Sequence, residues 1–145
     1  MTTASEARAV FNRRVSAWLA EDVDAYMTCW HDDMELTMPT GVVRGIDKYR
    51  RLVVGSFAWA APVSFDVHAW AVSMAPYAPS ERPSASGSAL RPHADGSLVF
   101  ADWTIRARRR EDDVLIAWRG LSICELLDGR ITWWREHHLS PPAPV

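Results

Sequence analysis

Cysteine is scarce. The chain holds two, Cys29 and Cys124, far apart and in no CxxC. That spacing excludes a disulfide framework and a cysteine-based zinc site, and it suits a reduced, cytoplasmic protein. An excess of either charge is missing too. The formal net charge is −2, so nothing draws the chain to nucleic acid or to an anionic membrane. No apolar run approaches the ~18 residues of a membrane-spanning helix. The N-terminal stretch MTTASEARAVFNRR lacks the basic–apolar–small order of a signal peptide. There is no GxSxG, no Gly-rich phosphate loop and no cysteine–histidine pair that the pattern brings together.

What the chain does have is apolar bulk. Apolar residues make up 48% of its 145 positions, and eight of them are tryptophan. A chain of this length buries about two-thirds of its unfolded surface. Indole rings fill large apolar spaces and keep an N–H donor, so this many imply a large core or an aromatic-lined cavity. With no internal repeat and no linker, residues 1–145 read as a single domain.

Thr3 and Glu6 stand at capping-box spacing and start a helix near Ala4. Ala7, Phe11, Val15 and Trp18 then recur at helical period, with Arg14 on the flank of that stripe. The spacing fits an arginine that lays its stem on the core edge and keeps its head in water. The alternative is a guanidinium directed into a pocket. Asp22 caps a second short helix carrying Val23, Tyr26, Met27 and Trp30 on one face, ended by His31-Asp32-Asp33. Met34–Met38 alternates as a short strand, with Glu35 and Thr37 opposite Met34, Leu36 and Met38, and Pro39 closes it. Gly41 and Gly45 frame a turn, and Ile46, Tyr49, Val53 and Phe57 form a third helical stripe.

Val63–Met74 and Leu98–Arg108 alternate as strands. Between them residues 75–96 carry four prolines, four serines and little to bury, which predicts a mobile loop outside the core or a lid. The chain is organised around Val114–Leu139, which reads as two long strands joined at Asp128-Gly129, a dipeptide suited to a hairpin turn with positive φ at both positions. Both faces of this hairpin are apolar, so both need covering. Residues 140–145, rich in proline, read as a tail. Helices first and strands after define an α+β domain, with helices packed on one face of a mostly antiparallel sheet.

This order, and three stretches within it, resemble the nuclear-transport-factor-2-like superfamily, in particular its SnoaL-like and ketosteroid-isomerase-like members. The stretches are WLAEDVDAYMTCWHDDMEL, the run of Met38-Pro39, Gly41 and Arg44-Gly45, and DGRITWWRE. The resemblance spans residues 5–139 without the proline-rich loop. It implies a cone in which a curved sheet wraps three helices around a deep pocket. It also implies that Trp118, Gly120, Ser122, Trp134 and Glu136 point into that pocket.

Position by position, the resemblance removes known catalysts more often than it supplies them. The ketosteroid isomerase base matches Met38 here, its tyrosine matches Arg14 and its protonated aspartate matches Ser122. The first two groups of epoxide-hydrolase-like members match Trp103 and Ile105, neither ionisable, while the third matches Glu136. The aspartate that ends many polyketide cyclases falls near Leu139. What remains to face a pocket is Arg14, Glu35, Glu136 and His138, with Glu136 the first candidate for catalysis and Arg14 the cation to keep it charged. Burial among tryptophans would otherwise push that carboxyl up. Trp18, Trp103, Trp118 and Trp134 are the expected walls, with Met38 beside them, and Thr37 and Ser122 are expected to orient a hydroxyl or carbonyl.

His137 and His138 are adjacent on a strand and face opposite sides, so no metal or other cofactor is implied. The function expected is a cofactor-free enzyme working by acid–base chemistry on a hydrophobic, cyclic small molecule, as isomerase, cyclase, dehydratase or epoxide-opening enzyme. The alternative is a small-molecule binder or dimeric interaction protein without chemistry. Leu121, Ile123, Ile131 and Trp133 on the face away from the pocket are expected to form a homodimer contact.

Overall fold

A computed structural model describes residues 3–73 and 96–145. The expected mobile loop, residues 75–96, lies outside the described residues except for Gly96. In chain order the elements are α1 (Ala4–Leu19), α2 (Val23–Met27), β1 (Trp30–Met38), β2 (Gly41–Arg44), α3 (Ile46–Trp59), β3 (Ala60–Val72), β4 (Ser97–Arg109), β5 (Leu115–Leu127) and β6 (Arg130–Pro144). The strands form one curved six-stranded sheet in the order β2-β1-β6-β5-β4-β3. Only the β1–β6 contact is parallel; the other neighbours are antiparallel. The α+β expectation holds.

Local chemistry sets the element boundaries. The Thr3 hydroxyl accepts from the Glu6 N–H at 3.1 Å while the Glu6 carboxylate accepts from the Thr3 N–H at 2.7 Å, the reciprocal box that starts α1. Asp22 caps α2 by accepting from the Ala25 N–H at 2.9 Å. Asp128 and Gly129 take φ of 50° and 74°, as the hairpin requires. Three boundaries differ from the sequence pattern. Helix α2 ends at Met27, and Trp30 opens a strand, because the Cys29 carbonyl accepts from the Ile131 N–H at 2.8 Å and draws the chain alongside β6. The segment framed by Gly41 and Gly45 is itself a strand, folded back on β1 from Met38 to Gly41.

The third difference is at the C-terminus, where residues 140–144 are not a tail. They complete β6, with Ala143 opposite Ala117 and Pro144 opposite Ile116. Strand β1 reaches only as far as Arg135 on the other side of β6. Beyond that point β6 is an edge, and Pro141 and Pro142 fall where its register against β5 shifts by one residue. Edges and bulges are the places where a sheet tolerates residues without an N–H.

The core lies between the helices and the inner face of the sheet. Phe11 of α1 meets Trp70 edge-on at 4.9 Å and stacks against Trp134 at 5.8 Å. Trp30, Met34, Trp103 and Trp134 are fully enclosed. Ile131 belongs to this core at 1% exposure and not to the outer face. A register shift at Glu125/Leu126 rotates it inward, which simple alternation from the turn does not anticipate. Trp133 is also buried, and among the described residues the outer face carries Phe100 and Leu121, 44% and 43% exposed, with Ile123 paired to Phe100 beside them.

One position on β5 fits its neighbours with no room to spare. A Cβ at Gly120 would stand 2.5 Å from the Trp103 ring and 2.9 Å from the His137 carbonyl oxygen. Neither neighbour yields easily, one being a packed indole and the other backbone. Gly120→Ala is expected to destabilise the fold by about 1–3 kcal/mol through overpacking. Urea denaturation measures it, and an unchanged midpoint would show that Trp103 moves freely.

Candidate functional site

Between the inner face of the sheet and the three helices lies a cavity of about 230 Å³. Its walls are largely aromatic and aliphatic: Trp18, Phe65, Trp103, Trp118, Leu36 and Met38 from α1 and the strands, with Val53 and Phe57 from α3. Leu52 and Trp59 line it too and are partly solvent-exposed, which marks the mouth. Pro142 closes the rim from the far end of β6. Against this apolar surface stand a few polar groups, chief among them Arg14, Tyr26, Tyr49, Glu136 and His138. A concave apolar site with a small number of placed polar groups is the usual form of a small-molecule pocket.

Arg14 is not on the flank of α1. The buried residues of that helix are Ala7, Val10, Phe11, Arg14 and Ala17, so Arg14 sits on the midline of the inward stripe, 9% exposed. Its guanidinium carbon lies 4.1 Å from the centre of the Trp134 ring. Tyr26 follows at 5.5 Å, Phe11 and Phe65 at 5.7 Å, and Trp30 at 5.9 Å. Its Nε–H has no acceptor among the described residues, while the side chain is hydrogen-bonded to Tyr26. Burial works against the charge, but the oxygens of Tyr26 and Tyr49 and the carboxylate of Glu136 outweigh it and hold the Arg14 pKa above its ordinary value. The cation therefore persists in the protein interior.

Tyr26 and Tyr49 come from α2 and α3, and their hydroxyls meet at 2.7 Å. Burial, with the neighbouring Tyr26 oxygen, pushes the Tyr49 phenol well above its usual value, so it stays neutral and keeps its proton. Two phenols sharing one hydrogen bond leave one O–H free to donate.

Glu136 and His138 are two apart on β6 and share its inner face. Their side chains meet at 3.2 Å between Oε2 and Nε2, with 15% and 25% of each exposed. The His138 ring stands edge-on to Trp103 at 6.1 Å. Trp103 in turn lies over Gly120 and donates from Nε1 to the Ser122 hydroxyl at 3.2 Å. The missing side chain at position 120 thus gives Trp103 its place, and Trp103 gives the imidazole its packing surface.

The expected site residues divide cleanly. Arg14, Trp18, Met38, Trp103, Trp118, Glu136 and His138 all line the cavity. Trp134 lies behind Arg14 and not on the cavity wall. Ser122 is occupied by Trp103. Glu35 and Thr37 are away from the cavity, because Leu36 and Met38 line it and strand alternation turns their neighbours the other way. Glu35 accepts from Arg44 Nε at 2.9 Å on that opposite side. The expected Arg14–Glu136 ion pair does not form either. Glu136 pairs with His138 and acts on Arg14 only through space.

Sequence reasoning missed the tyrosine pair. Tyr26 and Tyr49 each sit on an apolar helical stripe and read as core. A phenol on such a stripe needs a partner for its hydroxyl, and two of them on successive helices were the available signal. Cys124 is no nucleophile, since burial pushes its thiol up to about 12. Among the described residues no group of three histidine, cysteine, aspartate or glutamate side chains stands close enough to hold a metal ion. No helix among them is long and apolar enough to cross a membrane.

The family model of the SnoaL-like domain matches residues 11–134, and the chain belongs to that family. No curated protein matches the chain. Among solved structures, the chain resembles a limonene-epoxide-hydrolase-like epoxide hydrolase of Mycobacterium tuberculosis, with 17% identity, TM-score 0.65, and coverage of 92% of this chain and 83% of the other. It resembles the type-3 hexachlorocyclohexane dehydrochlorinase of Novosphingobium barchaimii, with 13% identity, TM-score 0.71, and coverage of 97% and 88%. A ketosteroid-isomerase-like protein of Catenulispora acidiphila, solved with trimethylamine, is similar over 88% and 83%, with 12% identity and TM-score 0.63. At such identities the likeness concerns the fold.

Proposed function

We propose that the protein is a cofactor-free enzyme that transfers protons on a hydrophobic, cyclic small molecule held in the aromatic cavity. One observation carries the reading. A carboxylate–imidazole pair, Glu136 and His138, stands at the wall of an apolar cavity that also contains the buried Arg14 cation. Glu136 takes a proton from a carbon next to a carbonyl, and His138 orients the carboxylate and relays the proton. The electron pair released moves onto the carbonyl oxygen, where Arg14 and the free Tyr26–Tyr49 hydroxyl proton stabilise the charge. Returning the proton to a second carbon completes an isomerisation, and no oxidant or reductant is consumed. Ring closure or loss of a leaving group starts from the same proton transfer. Solved structures of this fold described as an epoxide hydrolase and a dehydrochlorinase support a scaffold that hosts several chemistries.

The test is Glu136→Gln, which keeps the shape of the side chain and removes its basicity. Turnover of cyclic ketones, enol esters or epoxides, screened by mass spectrometry, is expected to fall by at least ~10² with melting temperature unchanged. Unchanged turnover would leave the second reading, a pocket that binds without reacting.

We also propose a cytoplasmic homodimer joined through the outer sheet face, where Phe100, Ile123 and Leu121 form an apolar patch. Cys29 and Cys124, both free and buried, suit a reducing compartment. Sedimentation equilibrium is expected to give a dimer for the native chain and a monomer for Leu121→Glu. A native monomer at micromolar concentration would remove the dimer.

A further inference from the structure

Arg14 raises a question that proton transfer alone does not answer. A buried cation without an ion-pair partner is expensive, and proteins normally answer it with a carboxylate. Here the aromatic rings contact the guanidinium from several sides, and Glu136, the carboxylate that shares the cavity, is already joined to His138. The Arg14 Nε–H has no acceptor among the described residues, and the paired hydroxyls of Tyr26 and Tyr49 keep one proton to give. All three side chains line the same cavity. Donors converge there, and among the described residues no carboxylate is ion-paired to Arg14, whose side-chain hydrogen bond is to Tyr26.

The space beside these donors is apolar and of limited size. At about 230 Å³ the cavity is roughly half as large again as the ~150 Å³ cavity known to hold benzene. It therefore takes one ring with a small polar head. Trp18, Phe65 and Trp118 offer ring faces and edges to such a body, while Leu52 and Trp59 lead to solvent.

We propose that the cavity is built for an anionic, ring-sized ligand, an aromatic or alicyclic carboxylate. Its head sits on Arg14 and the Tyr26–Tyr49 hydroxyls, and its ring points toward Leu52 and Trp59. The proposal rests on the proton-transfer reading of this cavity and narrows its ligand class, the carboxylate occupying the same donors that hold the charged oxygen during the transfer. The carboxylate supplies in direct contact the counter-charge that Glu136 gives only through space, and accepts from Arg14 and a phenol together, while the ring replaces water along the apolar walls. A neutral ring of the same size gains only the second of these.

The probes are benzoate and its uncharged counterpart benzyl alcohol, titrated into the native protein at neutral pH by calorimetry or tryptophan fluorescence. Benzoate is expected to bind about tenfold or more tightly, the difference a charge-assisted hydrogen bond makes. In Arg14→Met the preference is expected to vanish, benzoate falling to the affinity of benzyl alcohol. Glu136→Gln, which disables the proposed base, is expected to keep the preference. A failure of the proton-transfer reading and a failure of this one are therefore distinguishable. Equal affinity of the native protein for both probes, or no binding of either, overturns the proposal. So does a preference for benzoate that survives in Arg14→Met. Should that variant not fold, the comparison of the two probes on the native protein decides alone.

Discussion

The guanidinium of Arg14 is the constraint around which the rest of the interior is arranged. Taking such a charge out of water costs several kcal/mol even after the protein relaxes. The closest ring, Trp134 at 4.1 Å, returns about 2 kcal/mol as a desolvated cation–π contact. The remaining rings stand farther off and add less, so the cage does not balance the cost by itself. Through-space attraction from Glu136 and the two tyrosines, with a hydrogen bond to Tyr26, covers the remainder and keeps the guanidinium charged. A charged side chain on the midline of a core-facing stripe, lining the cavity, is the group the proposed ligand would meet. Buried tryptophans follow from the same constraint, because large rings both exclude water and present π faces to a cation.

The sheet translates this into a site with two poles. One pole is helical: Arg14, Tyr26 and Tyr49 come from α1, α2 and α3 and bring donors together. The other is on β6, where Glu136 and His138 share a face and pair. Gly120 connects the sheet to the second pole without touching a ligand. Its bare backbone admits the Trp103 ring, which is pinned by Ser122 and against which the imidazole packs. The extension of β6 past its last contact with β1 places Pro142 on the cavity rim.

Much of this was legible in the residues. Capping at Thr3 and Asp22, the Asp128-Gly129 turn and the alternation of β4 follow from local rules, and the structure follows them. The inner face of β5 and β6 needed the family resemblance, since both faces are apolar and periodicity does not choose between them. What escaped notice depends on contacts distant in sequence. Arg14 looked like a flank residue because helical periodicity does not say how wide the buried stripe is. Ile131 turned inward through a bulge that no local signal marks. The C-terminal prolines read as a tail because a proline-rich strand is acceptable only at an edge, and the edge exists only once β1 is seen to stop short. The Tyr26–Tyr49 hydrogen bond joins two helices whose mutual placement is a tertiary fact.

If Arg14 is held in the core for a ligand and not for stability, a side chain of similar length without charge should serve the fold as well or better. Equilibrium urea denaturation of Arg14→Met against the native protein, with no ligand added, measures this directly. Arg14→Met is expected to be as stable as the native chain or more so, by up to about 1–4 kcal/mol, the gain seen when buried charges give way to packed apolar groups. A loss of several kcal/mol would show that the cation holds the fold together and would contradict the account.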